Sequence, residues 1–282
     1  IKLFRQGPKD IRLNDTKISQ KELIGTLNTV IFCPEDLQLI KGTPSGRRRF
    51  LDMEISQTSA TYYHQLMQYN RLLQQRNAVL KEYRGKQNIP LEEWDLQLAD
   101  MASFIVKKRL ESLKKINLLI DLMNRKLTGG LENLTIGYEQ PYMDNGSLEY
   151  TKEGFYERIK AALPQDRHRL TTSVGPHRDD LRFFSDAMDL KKFGSQGQQR
   201  TAVLSLKLSE LEFIKSEVGE YPVLLLDDVL SELDESRRAN LLQFIHKRIQ
   251  TFITTTDIHD FKDLKSVQFI SCEGGKVQYG QP

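Results

Sequence analysis

Two adjacent carboxylates, Asp227 and Asp228, end the run YPVLLLDD. The four apolar residues before them, Val223 to Leu226, fit a strand buried on both faces. In an open α/β sheet, ligands lie outside the carboxyl ends of the strands. A carboxylate at such a tip can hold Mg²⁺ beside a nucleotide phosphate while its neighbour orients a water. A second candidate lies upstream in FGSQGQQR, residues 193–200, where Gly194, Ser195 and Gly197 directly precede a long helical pattern. Unpaired N–H groups and the positive end of the helix dipole can receive an anion there. Ser195 is equally suited to capping that helix. The order of features is informative: a Gly/Ser-rich helix start, a helix, a strand ending in Asp-Asp, then SELD (231–234), a further helix, and a strand ending in TTTD (254–257).

The elements that position these residues follow from periodicity. Residues 1–56 read as short strands, IKLF, IRLND and NTVIFC, followed by a polar bend, KGTPSGRRRFLD. From Ser59 the period becomes helical: Tyr62, Leu66, Tyr69, Leu73, Leu80 and Tyr83 share one seam, with Arg76 in the same register. After GKQNIP a second seam runs from Trp94 through Leu98, Met101, Ile105, Leu113, Ile116, Ile120 and Met123 to Leu127, with Arg109 filling its gap, until TGG stops it. Two long helices joined by a short loop make an antiparallel hairpin. Beyond Gly130 the pattern returns to α/β: LENLTIGYE, RLTTSVG and DLRFFS read as strands and EGFYERIKAAL as a helix. The closing segment is PVLLLDD, the helix DESRRANLLQFIHKRIQ and the strand TFITTT, a βαβ unit with parallel strands. SVQFISC and KVQYG then form a hairpin around EGG.

The 282 residues, 39% of them hydrophobic, suffice for one large domain or two smaller ones. A net charge of +3 is too small to argue nucleic-acid binding from the total. Its distribution is uneven: residues 59–128 hold 12 Lys and Arg against 7 Asp and Glu. Lys107, Lys108, Lys114 and Lys115 cluster on the second helix, either as a partner for a phosphate backbone or as a solvated face. Arg47, Arg48 and Arg49 are either phosphate or interface contacts, or residues that solvate a helix start. His177 in GPHRDD either contacts nucleotide or is a structural histidine beside Asp179 and Asp180. Cys33 and Cys272, without CxxC spacing, read as reduced thiols of a cytoplasmic protein. No run of about 18 apolar residues and no signal peptide is present, so no membrane partner is expected.

The motifs, in their order, resemble ABC-type ATPases: GSQGQQR the signature motif, VLLLDD the Walker B strand, SELD the D-loop and ITTTD the switch strand. FCPEDLQLIKGTPSGRRRFLD and TSVGPHRDDL, placed around a helical hairpin, are similar to the RecF family of bacterial DNA replication and repair proteins, which carry SMC/ABC-type heads. The resemblance covers essentially the whole chain. It implies an α/β, ABC-ATPase-like head of mixed sheet and helices with an inserted α-helical hairpin lobe. Residues 1–58 would be the N-terminal part of the head, 59–130 the hairpin lobe, and 131–282 the C-terminal part. By the same likeness Ser195, Gly197 and Gln198 contact the γ-phosphate of an ATP held mainly by a partner subunit. Asp227 holds Mg²⁺, Asp228 takes the catalytic carboxylate position, and Ser231 and Asp234 belong to the D-loop. Thr256 stands where many ABC proteins have a switch His, and PEDL (34–37) occupies the Q-loop place without a Gln.

The family likeness further implies an ATP-dependent homodimer that clamps single-stranded or gapped duplex DNA, hydrolyses ATP slowly, and works with RecR and RecO in loading recombinase. No GxxxxGK[ST] phosphate cradle is present in the sequence. The chain is therefore expected to begin downstream of that motif and to be inactive as an ATPase by itself. Three rival readings are an SMC-type chromosome organiser, a DNA-binding scaffold with a decayed nucleotide site, and a metal-dependent nuclease. The short hairpin speaks against the first, the intact Ser195, Asp227 and Asp228 against the second, and the lack of further converging carboxylates against the third.

Overall fold

The computed structural model describes residues 2, 9–86, 90–130, 132–142, 150–256, 261 and 267–280. Near its start a small hairpin, β1 (Arg12–Leu13) and β2 (Thr16–Lys17), turns on Asn14 and Asp15. Both adopt φ values of 47° and 63°, a left-handed conformation that Asn and Asp tolerate better than most side chains. The strand expected at IKLF lies, Lys2 apart, outside the described residues. A short helix, α1 (Gln20–Leu23), is fixed by a capping box between Ser19 and Glu22 and leads to β3 (Thr29–Phe32).

The polar bend expected after β3 is helical instead. A 3-10 turn (Pro34–Leu37) runs into α2 (Gln38–Lys41) and then α3 (Pro44–Thr58). Pro44 occupies the first position of α3, where a missing N–H has no helical partner to lose. Phe50, Leu51 and Ile55 bury the inner face of that helix. Pro44, inside the expected bend, is thus a helix start signal.

The two seams form α4 (Ala60–Glu82) and α5 (Glu92–Thr128), which pack on one another. The Ser59 hydroxyl caps α4 by accepting from the Tyr62 N–H at 3.2 Å, and Gly129 ends α5 at φ 68°. At about 1.5 Å per residue, α5 is roughly 55 Å long. It is the spine of the molecule, touching α4, β4 (Leu134–Glu139) and α6 (Lys152–Ala161). β4 pairs antiparallel with β5 (Asp180–Ser185), and β5 with β6 (Met188–Asp189). Between α6 and β5 lie α7 (Leu163–Arg169) and a stretch of irregular backbone. RLTTSVG was expected as a strand, but side chains satisfy its N–H groups: Thr172 N–H donates to Asn77 Oδ1 at 2.8 Å and Ser173 N–H to Asp166 Oδ1 at 2.9 Å.

A single turn, α8 (Leu190–Phe193), precedes α9 (Gln196–Val218), which packs against α5, α3 and β3. Ser205, Ser209, Leu204 and Leu211 are all fully buried, so α9 is a core helix enclosed nearly all round. β7 (Val223–Asp227) then enters the sheet between β3 and β8 (Thr251–Thr254). Both pairings are parallel, as the βαβ reading requires. The crossover from β7 to β8 is a 3-10 turn (Leu230–Glu232) and α10 (Glu235–Ile245). α10 ends at Ile245 rather than Gln250, and Lys247 reverses the chain at φ 57°. A final antiparallel hairpin, β9 (Ile270–Glu273) and β10 (Lys276–Tyr279), turns on Gly274 and Gly275. Cys33 and Cys272 are free thiols. Among the described residues, no helix is long and apolar enough to cross a membrane.

Candidate functional site

Parallel pairing places Asp227 directly opposite Thr254 at the carboxyl ends of β7 and β8. The Thr254 hydroxyl donates to Asp227 Oδ1 at 2.6 Å and accepts from the Asp228 N–H at 3.1 Å. One hydroxyl thus fixes both acidic residues. Asp228 sits at φ 52°, a left-handed conformation that costs a non-glycine residue roughly 1–2 kcal/mol. The Ser231 hydroxyl shares its proton between the Asp228 carbonyl (2.8 Å) and Asp228 Oδ1 (3.2 Å), tying the turn to the side chain it presents. Asp227 and Asp228 are both exposed.

Asp234 caps α10 by accepting from the Arg237 N–H at 2.9 Å and also pairs with the Arg237 guanidinium. That backbone hydrogen bond, with the neighbouring cation, holds its carboxyl below the ordinary range. Thr256 lies exposed just beyond β8. The donor set suits Mg²⁺ only as a partial shell, an accessible carboxylate or two beside a hydroxyl, of the kind completed by waters and phosphate oxygens. Among the described residues, no group of three or more His, Cys, Asp or Glu could cage an ion without such help.

Ser195 and Gln198 form a separate polar cluster at the start of α9. Ser195 Oγ accepts from the Gln198 N–H (3.2 Å), Gln198 Oε1 accepts from the Ser195 N–H (3.0 Å), and Gln198 Nε2 donates to Glu132 Oε1 (3.0 Å). This reciprocal box satisfies two of the donors that a helix start leaves unpaired. Among the described residues the Ser195 hydroxyl accepts one hydrogen bond and donates none in that box. Ser195 and Gly197 are exposed, and Phe193 beside them is 72% exposed. The hydrogen bonds of this cluster share no residue with those around Asp227 and Asp228.

The basic candidates separate sharply. Arg47 is not available to a phosphate: it is 3% exposed and forms a bidentate pair with Asp180 at 2.7 and 2.8 Å. Arg48 is half-buried and donates to the Asp179 carbonyl at 2.6 Å, whereas Arg49 is exposed. On α5, Lys107 and Lys114 are exposed, while Lys108 pairs with Glu111 and Lys115 with Glu217.

His177 is structural. Its Nε2 faces the Thr172 carbonyl at 3.0 Å, which can only accept, so Nε2 carries the proton and Nδ1 accepts from the Tyr69 hydroxyl at 2.6 Å. Burial lowers its pKa to about 4 despite the Thr172 hydrogen bond. Gly175 is required beside it: it adopts φ 130°, and a Cβ there would strike the Tyr69 hydroxyl.

Sequence patterns did not show the buried charge network under the hairpin. Arg109 makes a bidentate pair with Asp52, both contacts at 2.9 Å, and donates to the Pro176 carbonyl at 2.7 Å. Its neighbour Asp179, buried with Tyr138 and Tyr142 donating to it, has its pKa raised by burial, partly offset by Arg109. Arg76 joins Asp95 (2.6 Å) and Asp166 (2.7 Å). The signal was present: an Arg in an apolar helical register requires a buried carboxylate partner. Above Arg109, a cleft of about 550 Å³ between α3 and α4 opens onto Arg48, Arg49 and Tyr63.

A scan against protein-family models finds no match. The chain is 48% identical over 268 residues to the DNA replication and repair protein RecF of Alkaliphilus oremlandii, covering 94% of this chain and 73% of that one. It is 46% identical over 278 residues to the RecF protein of Clostridium botulinum strain Eklund 17B, covering 97% and 76%. Among solved structures, the recombination mediator protein RecF in the RecFOR pathway superimposes at a TM-score of 0.87. With ATPrS it shows 37% identity over 97% of this chain and 73% of that one; with ATP, 36% identity over 98% and 74%. The α/β, ABC-ATPase-like head with its helical hairpin lobe is therefore the fold.

Proposed function

The chain belongs to the RecF family of DNA replication and repair proteins, and from that premise we propose that it supplies two half-sites of an ATP-dependent homodimer that closes on DNA. Asp227, Asp228 and Thr254 face the nucleotide bound by the same subunit. The start of α9, with Ser195, Gly197 and Gln198, serves the nucleotide of the partner subunit. The observation that carries this reading is that the two exposed polar clusters share no hydrogen-bonded residue among the described residues, one held by Thr254 and Ser231 and the other by the Ser195–Gln198 box. A solvent-facing helix start with an exposed hydroxyl is suited to an anion brought by another molecule.

In this reading Asp227 is the residue that would hold Mg²⁺, which when bound would supply charge stabilisation to the phosphates. Asp228 orients the attacking water. Ser231 and Asp234 shape the turn that meets the partner subunit, and Thr256 lines the switch position. Slow ATP hydrolysis then reopens the dimer. Lys107 and Lys114, with Lys108, Lys115 and Arg48 contributing less because they already have partners, offer phosphate contacts to single-stranded or gapped duplex DNA. RecR and RecO are the partners that fit a member of this family in recombinase loading.

Ser195→Arg tests the reading in a full-length protein carrying this chain. The bulky cation should leave ATP binding near normal while abolishing ATP-dependent dimerisation in sedimentation velocity and lowering hydrolysis at least ten-fold. Dimers as abundant as in wild type would reduce Ser195 to a helix cap.

A further inference from the structure

Four charged side chains from three elements meet beneath α9. Lys207 Nζ lies 3.3 Å from Asp36 Oδ1 and 3.3 Å from Glu210 Oε1. Asp36 belongs to the 3-10 turn that follows β3, and it also accepts from the Cys33 N–H at 2.9 Å. Glu54, on α3, is near enough to feel the charges of Lys207 and Asp36 but makes no ion pair with Lys207 among the described residues; it is 5% exposed, and its Oε2 has no hydrogen-bond partner there. The Phe50 ring of α3 lies 5.5 Å from Lys207 Nζ. Lys207 and Glu210 are 6% and 1% exposed.

We propose that Lys207 is a positioning residue that locks the helix beginning at Ser195 to the turn behind β3 and to α3, so that these three elements move as one body. The charge arithmetic supports the lock. One ammonium cannot neutralise three carboxylates, two of them buried and Asp36 half-buried, and an unpaired buried charge is costly. The cluster is therefore closed as a Lys207–Asp36 ion pair with Glu54 and Glu210 holding protons. Burial raises both glutamates, Glu54 to about 7, with Lys207 opposing and Asp36 adding to the rise. Cys33, the remaining titratable group against Asp36, is a neutral thiol, raised to about 11 chiefly by burial. Deprotonation of Glu54 leaves one buried negative charge with no cation of its own, because Lys207 is already paired with Asp36, and loosens all three elements together.

The inference rests on the proposed function only for its consequence. If α9 presents Ser195 to a partner's phosphate, the lock transmits that contact to the Pro34–Leu37 turn, in the place where ABC proteins carry a nucleotide-sensing loop. The physical lock is testable without nucleotide. Hydrogen exchange of the 282-residue chain, corrected for intrinsic rates, should show the amides of 35–41 and 199–211 losing protection together between pH 6 and 8. Lys207→Met should lower protection in both segments at least five-fold at every pH, and Lys207→Arg should restore most of it. Glu54→Gln, which cannot ionise, should flatten the pH dependence in both segments. A change confined to α9 in Lys207→Met, or an unaltered pH profile in Glu54→Gln, would overturn the lock. Failure of the Ser195 test above would leave it standing.

Discussion

Thr254 and Asp227 share a 2.6 Å hydrogen bond across two neighbouring parallel strands, and the same hydroxyl receives the Asp228 N–H. Thr254→Val keeps the shape of the strand end and removes both bonds. A side-chain hydrogen bond is worth about 1 kcal/mol, and 1.4 kcal/mol is ten-fold in rate. In a full-length protein we expect ATP turnover about ten-fold lower, ATP binding within two-fold of wild type, and little change in melting temperature. Steady-state phosphate release beside equilibrium nucleotide binding decides it. Unchanged turnover would mean that the hydroxyl merely finishes the sheet.

Arg76 is fully buried between Asp95 and Asp166. Removing one partner of a buried ion pair costs roughly 3–5 kcal/mol, because the remaining charge stays in a low-dielectric site. Arg76→Met should cost about that much in urea unfolding. Combining it with Asp166→Asn should recover a good part of the loss, since fewer uncompensated carboxylates remain. Additive losses in the double variant would contradict the ion-pair account.

Lys107 and Lys114 are exposed and make no ion pair among the described residues, in contrast to Lys108 and Lys115. Each lost phosphate contact lowers the slope of log K against log salt by about 0.9 on duplex DNA. Lys107→Glu with Lys114→Glu should reduce the slope by nearly two such steps. Lys115→Glu should do less, because Glu217 already partners that lysine. Equal effects at all positions would point to a general field rather than discrete contacts.

His177 has a folded-state pKa of about 4 against an ordinary 6.5, because burial disfavours its charged form. The unfolded chain takes up the proton first as pH falls. The neutral ring therefore contributes stability that is fully present above pH 6.5 and is lost as pH drops toward 4, by about 3 kcal/mol at most. His177→Gln should remove that slope from urea unfolding midpoints measured between pH 7 and 4. An identical slope in the variant would assign the effect to other groups.

The strand tips and helix starts that carry chemistry were legible because their signals are local. An apolar run ending in Asp227–Asp228 reads as a strand, although the expected burial on both faces holds fully only for Leu224 and Leu226, with Val223 and Leu225 half-buried. Ser195 before a helical pattern reads as a cap. The parallel direction of β7 and β8 followed from the helix between them.

Pairings of buried charge were decided only in three dimensions. In sequence Arg47 fits a phosphate or interface contact as well as a residue at a helix start, and only the fold brings Asp180 to it from 133 residues away. Arg76 and Arg109 showed in sequence only as interruptions of an apolar seam, and nothing local names Asp166, Asp52 or Asp179 as their partners. The same holds where tertiary contacts replaced regular structure. RLTTSVG has strand composition, yet Asn77 and Asp166 satisfy its N–H groups in place of a neighbouring strand. Local propensity is a matter of tenths of a kilocalorie per residue. A buried charge or an unpaired N–H costs several times more, so where the two compete the tertiary partner prevails.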